Sequence, residues 1–362
     1  MTVTGGYPAP GPQDREPPRV GAYAGPPPTG SPAQLDGSTR QPPMPRVPMF
    51  TAHKPGIVPL RPLGLGDILD GAVKAVRFNP KSMVGLSAVV LALFLVPSAA
   101  LGVVATHLST LTFDGLGPEL QSLRGYPALF VQTLFTSMAT TILSGLLIYV
   151  LGQAVLGRKP DIGQTWRTTR GRVPTLLLLM VLVGLFSLLC FMLLIGPGVL
   201  LAFNGDLGAA ALMLILGFLG LIVVTVWVST KLSMAAPAIV LESHGLRAGV
   251  RRSFALTTGS AFWRILGITL LAGLIAGIAG AMLGAPFTVI NFVIAGVAGP
   301  DTESDQMISS LVSHLSGLLT GAVTTPFAAA VTGLLYIDRR MRLEALDVVL
   351  LRESQTNPAP PL

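Results

Sequence analysis

Few residues in this chain are of a type and spacing that could do covalent or metal chemistry. His53, His107, His244 and His314 are the only histidines, and none has the His-Glu-x-x-His spacing that sets two imidazoles on one helix face around zinc. The single cysteine, Cys190, lies inside an apolar run, which excludes a disulfide or a zinc-thiolate cluster within one chain. No nucleophile elbow, P-loop or dinucleotide fingerprint stands in a strand-turn-helix setting, and Gly64, Gly66 and Gly71 precede no strand. The expectation is therefore no catalytic, cofactor-binding or metal-ligating residue, and no enzyme activity. Ionisable residues within apolar stretches are the usual pointer to transport or proton relay. Only His107, at the outer end of the first stretch, and His314, one to two turns into the last, qualify. Gln132, Gln153 and Asn291 read as helix-helix hydrogen-bonding groups. Gly196-Pro197-Gly198 is one further candidate, since a broken helix bares carbonyls to an ion. Its plainer reading is a helix end or kink.

The elements that carry these residues are membrane-spanning helices. Of 362 residues, 51% are hydrophobic and 11% charged, where a soluble protein carries roughly 25% charged residues. Mean hydropathy is +0.68. The chain lacks the polar side chains to cover a water-soluble surface, so an all-α integral membrane protein is expected. After Lys81 the charges almost vanish in six blocks, each near or above the roughly 20 residues that cross a bilayer as helix. Their approximate spans are 82–106, 127–156, 174–203, 207–230, 265–284 and 308–336. The charge-free stretch from Ile265 to Pro300 is too long for one untilted span, and Pro286 divides it. The expectation is a helix ending near Gly284, followed by a re-entrant or interfacial segment over 286–299.

Charge placement orients the spans, because Lys and Arg are retained on the cytoplasmic side. Twenty-three of 24 basic residues fall in the N-terminal segment, the segments 158–172 and 231–264, and the C-terminus. The alternate loops hold only Arg124, beside Asp114, Glu119, Asp206, Asp301, Glu303 and Asp305. This predicts six spans with both termini cytoplasmic. The net charge of +7 thus reports topology. Anionic lipid headgroups, worth about 1 kcal/mol per base near the surface, explain the basic face without nucleic acid.

Residues 1–59 hold 15 of the 30 prolines and eight glycines, too little apolar mass to offset ordering entropy. They read as a disordered cytoplasmic tail, with 60–350 as the membrane domain and 351–362 as a second tail. Pro-rich docking of a partner is the alternative reading of the first tail. No apolar h-region lies in the first 30 residues, so no secretory signal is expected.

Before span one, Leu65, Ile68, Leu69, Ala72, Val73 and Val76 recur at helical spacing opposite Asp67, Asp70, Lys74, Arg77 and Lys81. This predicts an amphipathic helix in the headgroup plane, with an Asp70–Lys74 pair, ended by Asn79-Pro80. Comparable pieces carry Trp166 before span three and Phe254 before span five. The implied unit, used three times, is one interfacial helix plus a transmembrane hairpin. Small residues four apart on span five, including Gly273, Gly277, Gly280 and Gly284, and Gly317 and Gly321 on span six, predict close helix packing. A homo-oligomer contact is the alternative, and the sequence leaves the oligomeric state open.

Three phrases belong together: Pro59 to Ala72 (PLRPLGLGDILDGA), Ala236 to Glu242 with Arg251-Arg252-Ser253-Phe254 and Phe262-Trp263-Arg264, and Tyr336 to Asp347 (YIDRRMRLEALD). Over about residues 57 to 350 the chain resembles actinobacterial membrane proteins grouped with the membrane domain of glycerophosphoryl diester phosphodiesterases. Nothing in the chain remains to build that enzyme's separate catalytic barrel. The family pattern has a glycine where this chain has Ala345. The resemblance implies six helices and shared polar positions: Arg61, Asp67, Asp70, Glu242, Arg251, Arg252, Asp338, Arg342, Glu344 and Asp347. Their charges suggest a cytoplasmic-side network of partly desolvated pairs that locks the three units together; independent solvation is the alternative. The functional expectation is a non-enzymatic membrane scaffold or accessory subunit. A lipid or small-amphiphile translocator is second, and a membrane-embedded lipid-processing enzyme third.

Overall fold

In the computed structural model, residues 56–59, 61–113, 125–298 and 303–344 are described. Both terminal tails, Asp347, Ala345 and most of the loops after spans one and five lie outside them. Among the described residues there is no strand. The helices are α1 (Leu65–Phe78), α2 (Leu86–Phe113, entered through a π-helical turn Lys81–Gly85), α3 (Tyr126–Val155), α4 (Ile162–Thr169), α5 (Val173–Phe203), α6 (Leu207–Leu232), α7 (Ala235–Leu241), α8 (Leu246–Leu256), α9 (Ser260–Ala298) and α10 (Glu303–Glu344). Six of them are long and apolar enough to cross a bilayer, so the protein is a multi-pass helical membrane protein.

The spans pair as hairpins, α2 with α3, α5 with α6 and α9 with α10, and α10 also packs on α2, α3 and α1. Short helices α1, α4 and α8 each precede one hairpin, in the order expected of a unit used three times. They differ in length, and among the described residues α7 has no counterpart in the other two units. Asp161 caps α4 by accepting from the Gly163 amide. Asp67 reaches back to the Gly64 amide at 3.0 Å and steadies the start of α1.

α1 departs from its expected setting. Its apolar stripe meets protein: Ile68, Ala72 and Ala75 are fully buried in the core shared with α10 and α3. Helical periodicity identifies a face that must be covered but is silent on whether lipid or a neighbouring helix covers it. The outer side of the same helix keeps Leu65 and Val73 exposed.

α9 also departs. It runs unbroken through Pro286 to Ala298, so the described part of 286–299 is a helix extension and no re-entrant segment forms there. A proline removes one amide donor, and a continuous helix still satisfies more backbone groups than an open loop at membrane depth. At about 1.5 Å per residue the 39-residue helix is about 58 Å long, well beyond a hydrocarbon core of roughly 30 Å. Pro97, Pro197 and Pro326 likewise sit inside helices. The Gly196-Pro197-Gly198 triplet therefore neither ends α5 nor opens it as a broken helix.

Packing is concentrated at the end of the bundle that carries the basic residues. Leu63, Ile68, Met83, Leu146, Leu151, Met234, Ile265 and Tyr336 are all within 1% of full burial. Close backbone approach occurs at glycines other than most of those expected. A Cβ at Gly217 of α6 would stand 2.0 Å from the Leu194 carbonyl of α5, and one at Gly198 would stand 2.7 Å from Leu214. Of the expected set, Gly280, Gly284 and Gly321 meet neighbours, whereas Gly273, Gly277 and Gly317 face open space within 4 Å. Among the described residues the small-residue ridge on α9 is thus only half used: Gly280 and Gly284 meet α10, while Gly273 and Gly277 do not.

Candidate functional site at the basic end

Two carboxylates organise the basic end. Asp338, late in α10, is fully buried and accepts from the Leu63 amide at 2.8 Å and from Arg342 Nε at 2.9 Å, one turn along its own helix. Its other oxygen is paired with Arg264 at the start of α9. Arg264 and Arg342 each also donate to the Leu63 carbonyl at 2.8 Å. Both backbone groups of Leu63 are therefore bound before α1 begins, which fixes the entry of the first unit to the third.

Glu242, at the end of α7, is the second centre. It accepts from Arg252 of α8 at 3.1 Å and from the Tyr336 hydroxyl, and Arg340 Nε lies 3.1 Å away. Glu344 joins Arg252 and Arg340 from the last turn of α10. Burial alone would lower the pKa of the Arg252 guanidinium, but Glu242 and Glu344 outweigh it and hold it above the ordinary value. His244 Nδ1 faces Glu242 at 3.7 Å.

Bonds to backbone carbonyls complete the base. Asn79 and Ser82, at the α1–α2 junction, both donate to the Pro160 carbonyl ahead of α4, at 3.1 and 2.7 Å. Lys231 of α6 donates to the Thr257 carbonyl at 2.9 Å, and Arg339 to that of Leu256 at 3.0 Å. Each unit is thus tied to another through groups at the basic end.

Of the ten expected polar positions, the structure joins Glu242, Arg252 and Glu344 in one cluster and Asp338 with Arg342 in another. Arg61 pairs with Asp67 at 3.5 Å, and Asp70 with Lys74, as local contacts on exposed surface. They are separate from both clusters. Arg251 is exposed, and Asp347 lies outside the described residues. Sequence reading missed Arg264, Arg340, Tyr336 and the backbone of Leu63. Arg264 and Tyr336 carried a signal, since a lone base and a phenol at the two ends of apolar runs sit where membrane proteins place interfacial anchors.

A cavity of about 370 Å³ opens beside the Glu242 cluster. α3 supplies Tyr149, Gly152 and Gln153, α4 supplies Thr168, and Arg172 stands at the foot of α5. Ser243 follows α7, and Tyr336 and Arg340 come from α10. Arg172 donates to the Ser243 carbonyl at 3.3 Å. Ser243 has φ of 60° and is the only non-glycine in the left-handed region among the described residues. That conformation costs about 1 kcal/mol and persists where neighbours enforce it.

Two polar groups within the spans make helix-helix contacts. His314 Nε2 lies 3.3 Å from Ser98 Oγ, with Nδ1 on the Ser310 carbonyl at 2.7 Å, and Asn291 donates to Ser313 at 3.3 Å. Among the described residues, no three His, Cys, Asp or Glu side chains are placed to hold a metal ion. No family model, curated protein or solved structure matches this chain.

Proposed function

We propose that the chain is a non-enzymatic membrane scaffold or accessory subunit of a bacterial plasma membrane, with both termini cytoplasmic, and that its α5–α6 hairpin receives a partner's helix. One observation carries the reading. From Val181 to Leu189 every residue of α5 except Val183 is exposed. Nine residues make about 2.5 turns, so the helix is uncovered around its circumference there. Its foot, by contrast, is packed, with Leu176 buried against Ile148, Ile239 and Val240. An arm anchored at the base and free in the middle adds little to its own bundle. Helices associate in lipid through close packing, and Gly184, with open space at its Cβ position, lets a second backbone approach.

The orientation is supported by 23 of 24 bases on one side, where anionic headgroups lie. The resemblance in the three motif phrases supports kinship with the membrane domain of glycerophosphoryl diester phosphodiesterases. The proline-rich tail offers a second contact for the same partner. A photo-crosslinking residue at Phe186 or Leu189 in living cells tests the proposal. A reproducible protein adduct, absent when the probe sits at buried Leu146, is expected. Adducts to lipid alone would refute it and favour the second reading, amphiphile translocation, for which the same gap around α5 would be the path.

A further inference from the structure

We propose that the cavity beside Glu242 is a binding site for a phosphate ester, with Arg172 and Arg340 as its two cationic walls. Charge is the first argument. Among the described residues the lining contains two arginines and no carboxylate, together with Gln153, Thr168, Ser243 and two tyrosines. Planar guanidinium groups pair with phosphate oxygens through two parallel bonds, a geometry that lysine does not offer.

Preorganisation is the second. Among the described residues Arg340 meets Glu242 and Glu344 through Nε, so these carboxylates hold the side chain in place from one edge. Arg172 is held by one 3.3 Å bond to Ser243, whose backbone is itself in the unfavourable left-handed region. Strain of this kind gathers at ligand sites.

Shape is the third. The volume falls in the range of small-molecule sites, and Val155, Leu156, Val240, Leu241 and Ile337 add apolar wall, which suits an ester bearing an organic group better than bare phosphate. One turn along the chain from Arg172, α5 is in close contact with α3. Leu176 packs so tightly on Gly145 that a Cβ there would stand 2.4 Å from it. The phosphate ester arrives either as the headgroup of an inner-leaflet lipid or as a soluble molecule. The site stands whether the α5 arm receives protein or lipid.

The test uses the full-length protein in nanodiscs of phosphatidylcholine, titrated with phosphatidic acid or with phenyl phosphate and followed by thermal stabilisation and native mass spectrometry. Saturable binding is expected, weakened at least about tenfold by Arg172→Gln. Gln153→Glu gives the same loss by placing a negative charge in the cavity, and it removes no ion pair, so the fold is preserved. Retained melting temperature in both variants without ligand identifies the loss as local. Saturation by the lipid alone identifies a headgroup site, and saturation by phenyl phosphate a soluble ligand. Binding that both variants leave unchanged, or no preference over phosphatidylcholine, overturns the proposal.

Discussion

Replacing Asp338 by alanine gives the most direct measure of what holds the base together. Its carboxylate is fully buried and accepts from Arg264, from Arg342 and from the Leu63 amide. Truncation leaves those donors around an empty site. Breaking a buried pair by removing one partner costs about 3–5 kcal/mol. The side chains of Arg264 and Arg342 are 31% and 37% exposed and regain water, which pulls the figure toward about 3 kcal/mol. The stranded Leu63 amide adds about 1 kcal/mol if it stays dry. A net loss of about 3–4 kcal/mol follows, and at about 2 °C per kcal/mol for a large domain the melting temperature falls by about 6–8 °C. Heating the detergent-solubilised protein and measuring the folded fraction by size-exclusion chromatography reads this directly. Asp338→Asn, which keeps an acceptor for Leu63 but no charge, falls between. In the double variant Asp338→Ala/Arg264→Ala the losses are less than additive by at least about 0.5 kcal/mol. An alanine variant melting within about 2 °C of the parent, or strictly additive losses, would show that the buried network contributes no coupling.

Three further outcomes follow from the same geometry. Gly217→Val, which drives a side chain into the Leu194 carbonyl, destabilises by at least about 1–3 kcal/mol, while Gly273→Ala, facing open space, is neutral or stabilising by up to about 1 kcal/mol; equal melting temperatures for the two would contradict the α5–α6 packing. Tyr336→Phe removes the hydroxyl that donates to Glu242 and costs about 1.5–3 kcal/mol, as for a bond to a charged group, measured by the same thermal assay. In a Cys190→Ser background, Asn204→Cys reacts with an impermeant maleimide on intact cells and Gln164→Cys only after lysis, since both positions are exposed, Asn204 at the end of α5 and Gln164 on α4 before its start; the reverse pattern would invert the proposed topology.

The six spans were legible in the sequence because helices in lipid must be long, apolar and internally hydrogen-bonded, and each requirement leaves a local mark. The order of short helix and hairpin was legible from amphipathic spacing beside the bases that precede spans one, three and five. The behaviour of α9 at Pro286 was not, because one missing amide does not decide between a break and a continued helix; the competing cost of open backbone does. The glycines at 273, 277 and 317 share the spacing of those at 280, 284 and 321, yet only the second three meet a neighbour. Spacing places residues on one ridge, and the position of the neighbouring helices selects which part of the ridge is covered.

For the charged base the division is sharper. Sequence alone put Glu242, Arg252, Asp338, Arg342 and Glu344 on the basic side of the membrane, since charge is excluded from the hydrocarbon and bases are retained on one face. Tertiary structure chose the partners. Asp338 meets Arg264, 74 residues away in the chain, and the backbone of Leu63, 275 residues away. Among the described residues Asp70, which shares the same sequence-level description, meets only Lys74 on the exposed side of its own helix. Pattern determines the face and depth of a charge. Which charges are desolvated, and against what, depends on how distant helices come together, and no local pattern encodes that.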